Sequence, residues 1–155
     1  MTKHILLLLT CSLFVLSACK KKAATPTIVE NTLSFKVDGV SKSYTGVAIK
    51  STSGGNLQVS GYETGAAGNT VFILVPNPKV GTFTAGTAGT YFQLSVQETE
   101  IAAYASDQVG TVNITSLSDT RVAGTFSFVG SHIGSAATTT KTVTEGKFDV
   151  ALTVQ

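Results

Sequence analysis

Charge is scarce in this sequence: Asp, Glu, Lys and Arg make up 13% of its 155 residues, about half the usual globular share. Tryptophan is absent, and there are three prolines, one methionine, two cysteines and two histidines. From Asn31 onward seven basic side chains stand against eight acidic ones. That balance leaves no basic face for a phosphate backbone and excludes a nucleic-acid binder. The net charge of +2 is owed to Lys3 and to Lys20, Lys21 and Lys22, all ahead of that point.

Long apolar runs are missing as well. The one apolar stretch, Ile5 to Val15, stops well short of the ~20 residues that cross a bilayer. Lys3 and His4 precede it, and Leu16-Ser17-Ala18-Cys19 follows it. This is the three-part layout of an export signal, with a positive start, an apolar middle and small residues at the cut. Small side chains at Ser17 and Ala18 let a peptidase approach the backbone closely. The Cys19 thiol can take a diacylglyceryl group by thioether formation before cleavage. The pattern therefore predicts cleavage between Ala18 and Cys19 and lipidation of Cys19 with palmitate-like chains. One chain binds a membrane marginally at about 0.8 kcal/mol per buried methylene, whereas two or three anchor it stably. Cys11 sits inside the apolar run after Thr10 and leaves with the signal. No thiol then remains for a disulfide, a cysteine nucleophile or a Cys-based zinc site.

Three regions follow from this: residues 1-18 as a lipoprotein signal peptide, 19-30 as a lipidated tether and 31-155 as a single β-domain. The tether contains Lys20 to Lys22 and Pro26. Fully extended, it could hold the domain at most ~35–40 Å from the lipid. Its lysines either stay solvated or pair with anionic head groups, at about 1 kcal/mol each.

Beyond the tether the patterning has period two. Leu33, Phe35 and Val37 alternate with Ser34 and Lys36, and Asp38-Gly39 is a hairpin signal. Ser41 to Thr45 reads as the return strand. Thr70 to Val75 is apolar on both parities, which predicts a central strand buried on both faces. Phe92, Leu94 and Val96 form an alternating stripe, as do Val112 and Ile114. Val122, Phe126 and Phe128 share one face, and Phe148, Val150, Leu152 and Val154 form the clearest stripe. Glu100 to Ser106 could be a short helix, although a strand is preferred. Ser131 to Thr140 reads as a hairpin loop. The predicted fold is all-β, an antiparallel β-sandwich of about 8-10 short strands, with a closed, lipocalin-like β-barrel as the alternative.

Chemical motifs are sparse. His132 is the only histidine after cleavage, and no nucleophile elbow accompanies it. An exposed structural histidine is the expected role. Glu98 and Glu100 would share a strand face if extended, which invites comparison with the paired carboxylates of glycoside hydrolases. Solvent exposure at a strand end is the expected alternative. The remaining acids, Asp38, Glu63, Asp107, Asp119, Glu145 and Asp149, are scattered and match no calcium-loop spacing. Gly65 to Gly68 has neither a Walker lysine nor a following helix. Tyr44, Tyr62, Tyr91 and Tyr104 could stack on sugars, but no spacing brings them together, and strand packing is expected.

Several segments together resemble small lipoproteins of the Bacteroidota, in a single-domain β family of unknown function. They are Leu16-Ser-Ala-Cys19 with its lysines, Leu33 to Gly39, Gly110 to Thr115, Gly124 to Phe128 and Val143 to Val150. The resemblance implies no enzyme activity and no catalytic residues. Surface-displayed lipoproteins of that phylum tend to carry acidic residues after the lipidated cysteine. Lys20 to Lys22 in that place imply the periplasmic face of the outer membrane, with the cell surface as the alternative.

The expected protein is a membrane-anchored lipoprotein of the cell envelope, acting as a non-enzymatic binding or structural module. Its expected partners are the membrane, through the lipid on Cys19, and an envelope protein or glycan. No cofactor, metal or nucleic acid is expected. A small-molecule or lipid carrier is the first alternative. A hydrolase relying on His132 or on Glu98 and Glu100 is the second.

Overall fold

Apolar–polar alternation builds ten β-strands and, among the described residues, no helix. A computed structural model describes residues 30–155 except 54, 67, 107 and 135–138. The expected signal segment, Ala18, Cys19 and the expected tether to residue 29 lie outside the described residues. In chain order the strands are β1 (Thr32–Val37), β2 (Val40–Lys50), β3 (Asn56–Tyr62), β4 (Thr70–Pro76) and β5 (Gly81–Thr84). They continue as β6 (Tyr91–Gln97), β7 (Ile101–Ser106), β8 (Gly110–Leu117), β9 (Arg121–His132) and β10 (Thr140–Val154). Asp38 and Gly39 both have positive φ, at 48° and 83°. This is the backbone that a two-residue hairpin turn demands, and Asp-Gly supplies it readily.

All ten strands belong to one sheet. Its pairings return on themselves, running β2–β3–β4–β6–β7–β9–β10 and back to β2. β1 pairs with both β10 and β2. β8 pairs along the first part of β9 and carries β5 on its other edge. Two joints in this circuit are short. β2 meets β10 over three residues, in the sheet's only parallel pairing. β7 meets β9 at only Tyr104↔His132 and Ala105↔Ser131. No local pattern encodes the parallel joint, because its partners lie about a hundred residues apart.

The inward stripes close over one continuous core that includes Leu33, Val59, Val71, Ile73, Phe92, Leu94, Ile114 and Val150, all fully buried. Rings fill its centre. Phe92 stacks on Phe128 at 5.2 Å between centroids, and Phe35 meets Tyr44 edge-on at 4.9 Å. Phe126 lies 6.0, 6.5 and 6.3 Å from Phe35, Phe128 and Phe148. Room for these rings comes from glycine on the facing strand: Phe148 is registered with Gly124, and Phe126 with Gly146. A Cβ on Gly124 would come within 2.6 Å of Phe148 Cζ.

β4 corrects one expectation. Val71, Ile73 and Val75 are fully buried, but Phe72 and Leu74 are only half-buried on the opposite face. Among the described residues no second layer covers that outer face, and Phe72 leans on Tyr91, 6.3 Å away. The segment from residue 101 to 106 is strand β7, the preferred form. β9 runs on to His132 and β10 begins at Thr140, so the connection between them is shorter than the sequence suggested. Residues 135–138 of it lie outside the described set.

Burial also sets a titration. Tyr44 is 4% exposed, and desolvation, with a smaller push from the Glu63 carboxylate, raises its phenol from 10.0 to about 12. Between those values the folded state keeps a proton that the unfolded chain has lost. Stability is therefore intact below pH 10 and falls as pH rises towards 12. The Tyr44→Phe variant should lose less stability over that interval than the parent in thermal melts at pH 9.5 and 11.5. Equal losses in both proteins would contradict this.

Candidate functional site

Four connections gather at one end of the sheet: those joining β1 to β2, β3 to β4, β6 to β7 and β9 to β10. Strand direction puts them there, since β1, β3, β6 and β9 all run towards this end and β2, β4, β7 and β10 start from it. The chain enters β1 at Thr32, at the other end of that strand and roughly 17 Å away at the rise of an extended strand.

Side chains tie the connections together. Lys141, at the start of β10, places Nζ 3.4 Å from Asp38 Oδ2 and 3.8 Å from Glu98 Oε1. The same ammonium lies 5.7 Å above the Tyr104 ring, within cation–π range. The main-chain N–H of Thr142 donates to Asp38 Oδ1 at 2.9 Å. On the neighbouring side Lys42 Nζ is 3.6 Å from Glu63 Oε1, and Asn69 Nδ2 donates to Glu63 Oε2. Asn69 Oδ1 in turn accepts the N–H of Gln97. Three connections are thus bridged by one lysine, and a fourth by one asparagine.

Between the β6–β7 turn and the end of β9 lies an open concavity of about 540 Å³. Glu98, Thr99, Glu100, Ile101, His132 and Ile133 line it, with Ala102 and Ala103 at its floor. The structure therefore brings His132, Glu98 and Glu100 together. It also revises two of them. Glu98 and Glu100 belong to the turn after β6, where Glu98 N–H donates to Glu100 C=O at 2.9 Å, and share no strand face. His132 ends β9, half-buried, with its ring edge-on to Tyr104 at 5.1 Å. It is not an exposed loop residue.

What this arrangement offers is acceptors and negative charge. The buried Nδ1 of His132 has no hydrogen-bond partner among the described residues. Among the described residues Thr99 supplies the only hydroxyl of the lining. Among the described residues no group of three or more His, Cys, Asp or Glu could hold a metal ion. The four tyrosines form no platform: Tyr44 and Tyr104 are buried, Tyr91 leans on Phe72 and Tyr62 is 46% exposed by itself.

Lys141 escaped notice in the sequence. Its signal was there: it lies two residues before the buried Val143, on the inward parity of β10. A cation in that place needs partners at the mouth of the core. A second surface, the outer face of β8, β9, β10 and β1, carries a cross-strand row of polar residues, Asn113, Thr125, Lys147 and Ser34. The chain matches no protein-family model, no curated protein and no solved structure.

Proposed function

We propose that this protein is a lipid-anchored binding module of the bacterial envelope, held by Cys19 and not itself an enzyme. The observation that carries the proposal is the sequence Leu16-Ser17-Ala18-Cys19 behind a short apolar run, followed by a lysine-rich tether into β1. Among the described residues no helix is long and apolar enough to cross a membrane. The entry of the chain at Thr32, opposite the clustered hairpins, favours presentation of the Glu98–His132 concavity away from the membrane. Lys20 to Lys22 favour the periplasmic face of the outer membrane.

The carrier reading is disfavoured because Phe35, Phe92, Phe126, Phe128 and Phe148 occupy the centre. A carrier needs an interior wider than its own side chains. The hydrolase reading gains convergence of His132 with Glu98 and Glu100, but lacks an oriented base beside a nucleophile.

Replacing Cys19 with alanine tests the proposal. The native protein should enter the detergent phase of a detergent–water partition, and the Cys19→Ala protein should enter the aqueous phase with its melting temperature unchanged. Equal retention of both in the detergent phase would refute the anchor.

A further inference from the structure

We infer that the outer face of β8, β9, β10 and β1 binds an acidic polysaccharide, with Lys147 meeting the carboxylates of the sugar chain. Strand register lines up Thr82, Asn113, Thr125, Lys147, Ser34 and Ser43 on six neighbouring strands, and all six are exposed. The row is roughly 24 Å long at the usual spacing between strands. Three open hollows of about 190, 320 and 340 Å³ adjoin along it, and Lys147 lines each of them. Beneath them the rings of Phe35, Phe126 and Phe148 are buried, so polar groups and charge must hold a ligand here.

Charge selects the ligand. β10 carries a bulge between Val143 and Gly146, where Glu145 takes a positive φ of 53°. Bulges re-aim side chains, and Glu145 here meets Lys36 on β1 at 2.7 Å. Lys42 is held by Glu63 at 3.6 Å, and Asp149 by Arg121 at 2.6 Å. Of the charged side chains lining the hollows, Lys147 alone has no counter-ion among the described residues. Its registered neighbours Thr125 and Ser34 likewise make no side-chain hydrogen bond among them. The face therefore offers one uncompensated positive charge amid hydroxyls and an amide. Such groups both donate and accept, as sugar hydroxyls do, and the ammonium complements a carboxylate on the same chain. An acidic peptide would find the ammonium but no strand edge, because β9, β10 and β1 are paired on both sides.

The inference rests on reading the domain as a binding module, and it does not depend on the anchor. The test titrates the mature protein in mild detergent with oligogalacturonate, with its methyl ester and with polyglutamate of the same charge. At low salt the oligogalacturonate should bind at least about tenfold more tightly than either of the others. Added salt should weaken its binding. Lys147→Gln should weaken it about fivefold or more and flatten the salt dependence, whereas Lys147→Arg should keep most of it. Thr125→Val, which removes a hydroxyl at nearly constant shape, should weaken it about threefold. Lys79→Gln, in the connection between β4 and β5, should bind like the parent. Lys147 and Thr125 are exposed, so these variants should keep the parent's melting temperature. In the unaltered protein, the amide resonances of Ser34, Thr125 and Lys147 should shift as oligogalacturonate is added.

No binding of oligogalacturonate, or equal binding of its methyl ester, overturns the inference. So does equal binding of polyglutamate, which would assign the face to acidic polypeptides. Binding that Lys147→Gln leaves unchanged, or shifts confined to residues outside this face, overturns it as well. Oligogalacturonate binding by a protein that partitions into water would leave the site standing and remove only the anchor.

Discussion

Truncating Phe128 to alanine should lower the unfolding free energy by about 3–5 kcal/mol, the range for a large aromatic removed from a packed core. The side chain is 2% exposed and stacks on Phe92 at 5.2 Å, with Phe126 at 6.5 Å. It belongs to β9, which pairs with β7, β8 and β10, so the void would open where the sheet has the most partners and least freedom to collapse. A domain of this size has about 5–15 kcal/mol in total, and the variant should be close to unfolding. Urea denaturation is the check: the midpoint should fall steeply with little change in slope. A loss below about 1 kcal/mol would mean that the rings do not fill the centre as described. Truncation of Phe83, only partly buried at the margin of the core, should do much less.

Adding one methyl at Gly124 should destabilise the fold by about 3 kcal/mol, towards the upper end for an overpacked core. The new Cβ would overlap the main-chain oxygen of Asn113 on β8 and approach Phe148 Cζ to 2.6 Å. A side chain can rotate away, but a carbonyl fixed in the sheet ladder cannot. Either β8 must withdraw from β9 or the Phe148 ring must leave its place over the glycine. Gly124→Ala should therefore lower the melting temperature by about 10 °C. Adding Phe148→Leu should recover only part of the loss, because the clash with Asn113 remains. Full recovery would place the whole obstruction in the ring.

Much of this architecture was legible in period-two stripes. The runs through Phe92–Val96, Val122–Phe128 and Phe148–Leu152 each became a strand whose apolar side is the core. Asp38-Gly39 marked a hairpin because few other pairs accept two positive φ values. β4 misled, since an apolar run shows how much surface a strand can bury and not what will cover it. Phe72 and Leu74 found no second layer among the described residues. The site was less legible still. Glu98 comes from the β6–β7 hairpin and His132 and Lys141 from the β9–β10 hairpin, and only the register of β7 on β9 and of β9 on β10 brings them together. Alternation predicts which face a residue occupies, but it carries no information on which strand will be its neighbour. The same gap hid the short β7–β9 joint.

The anchor and the domain make separable demands on the protein. On the proposed reading the domain needs no membrane-binding surface of its own, and its entry strand turns the Glu98–His132 end away from residue 30. On the same reading, attachment rests on one atom, the sulfur of Cys19. Intact-mass measurement of the protein purified from its native membrane tests this most directly. The account predicts a polypeptide beginning at Cys19 and heavier than its sequence by a diacylglyceryl group and any further acyl chain. A species that retains residues 1–18, or that begins at Cys19 with a free thiol, would contradict it.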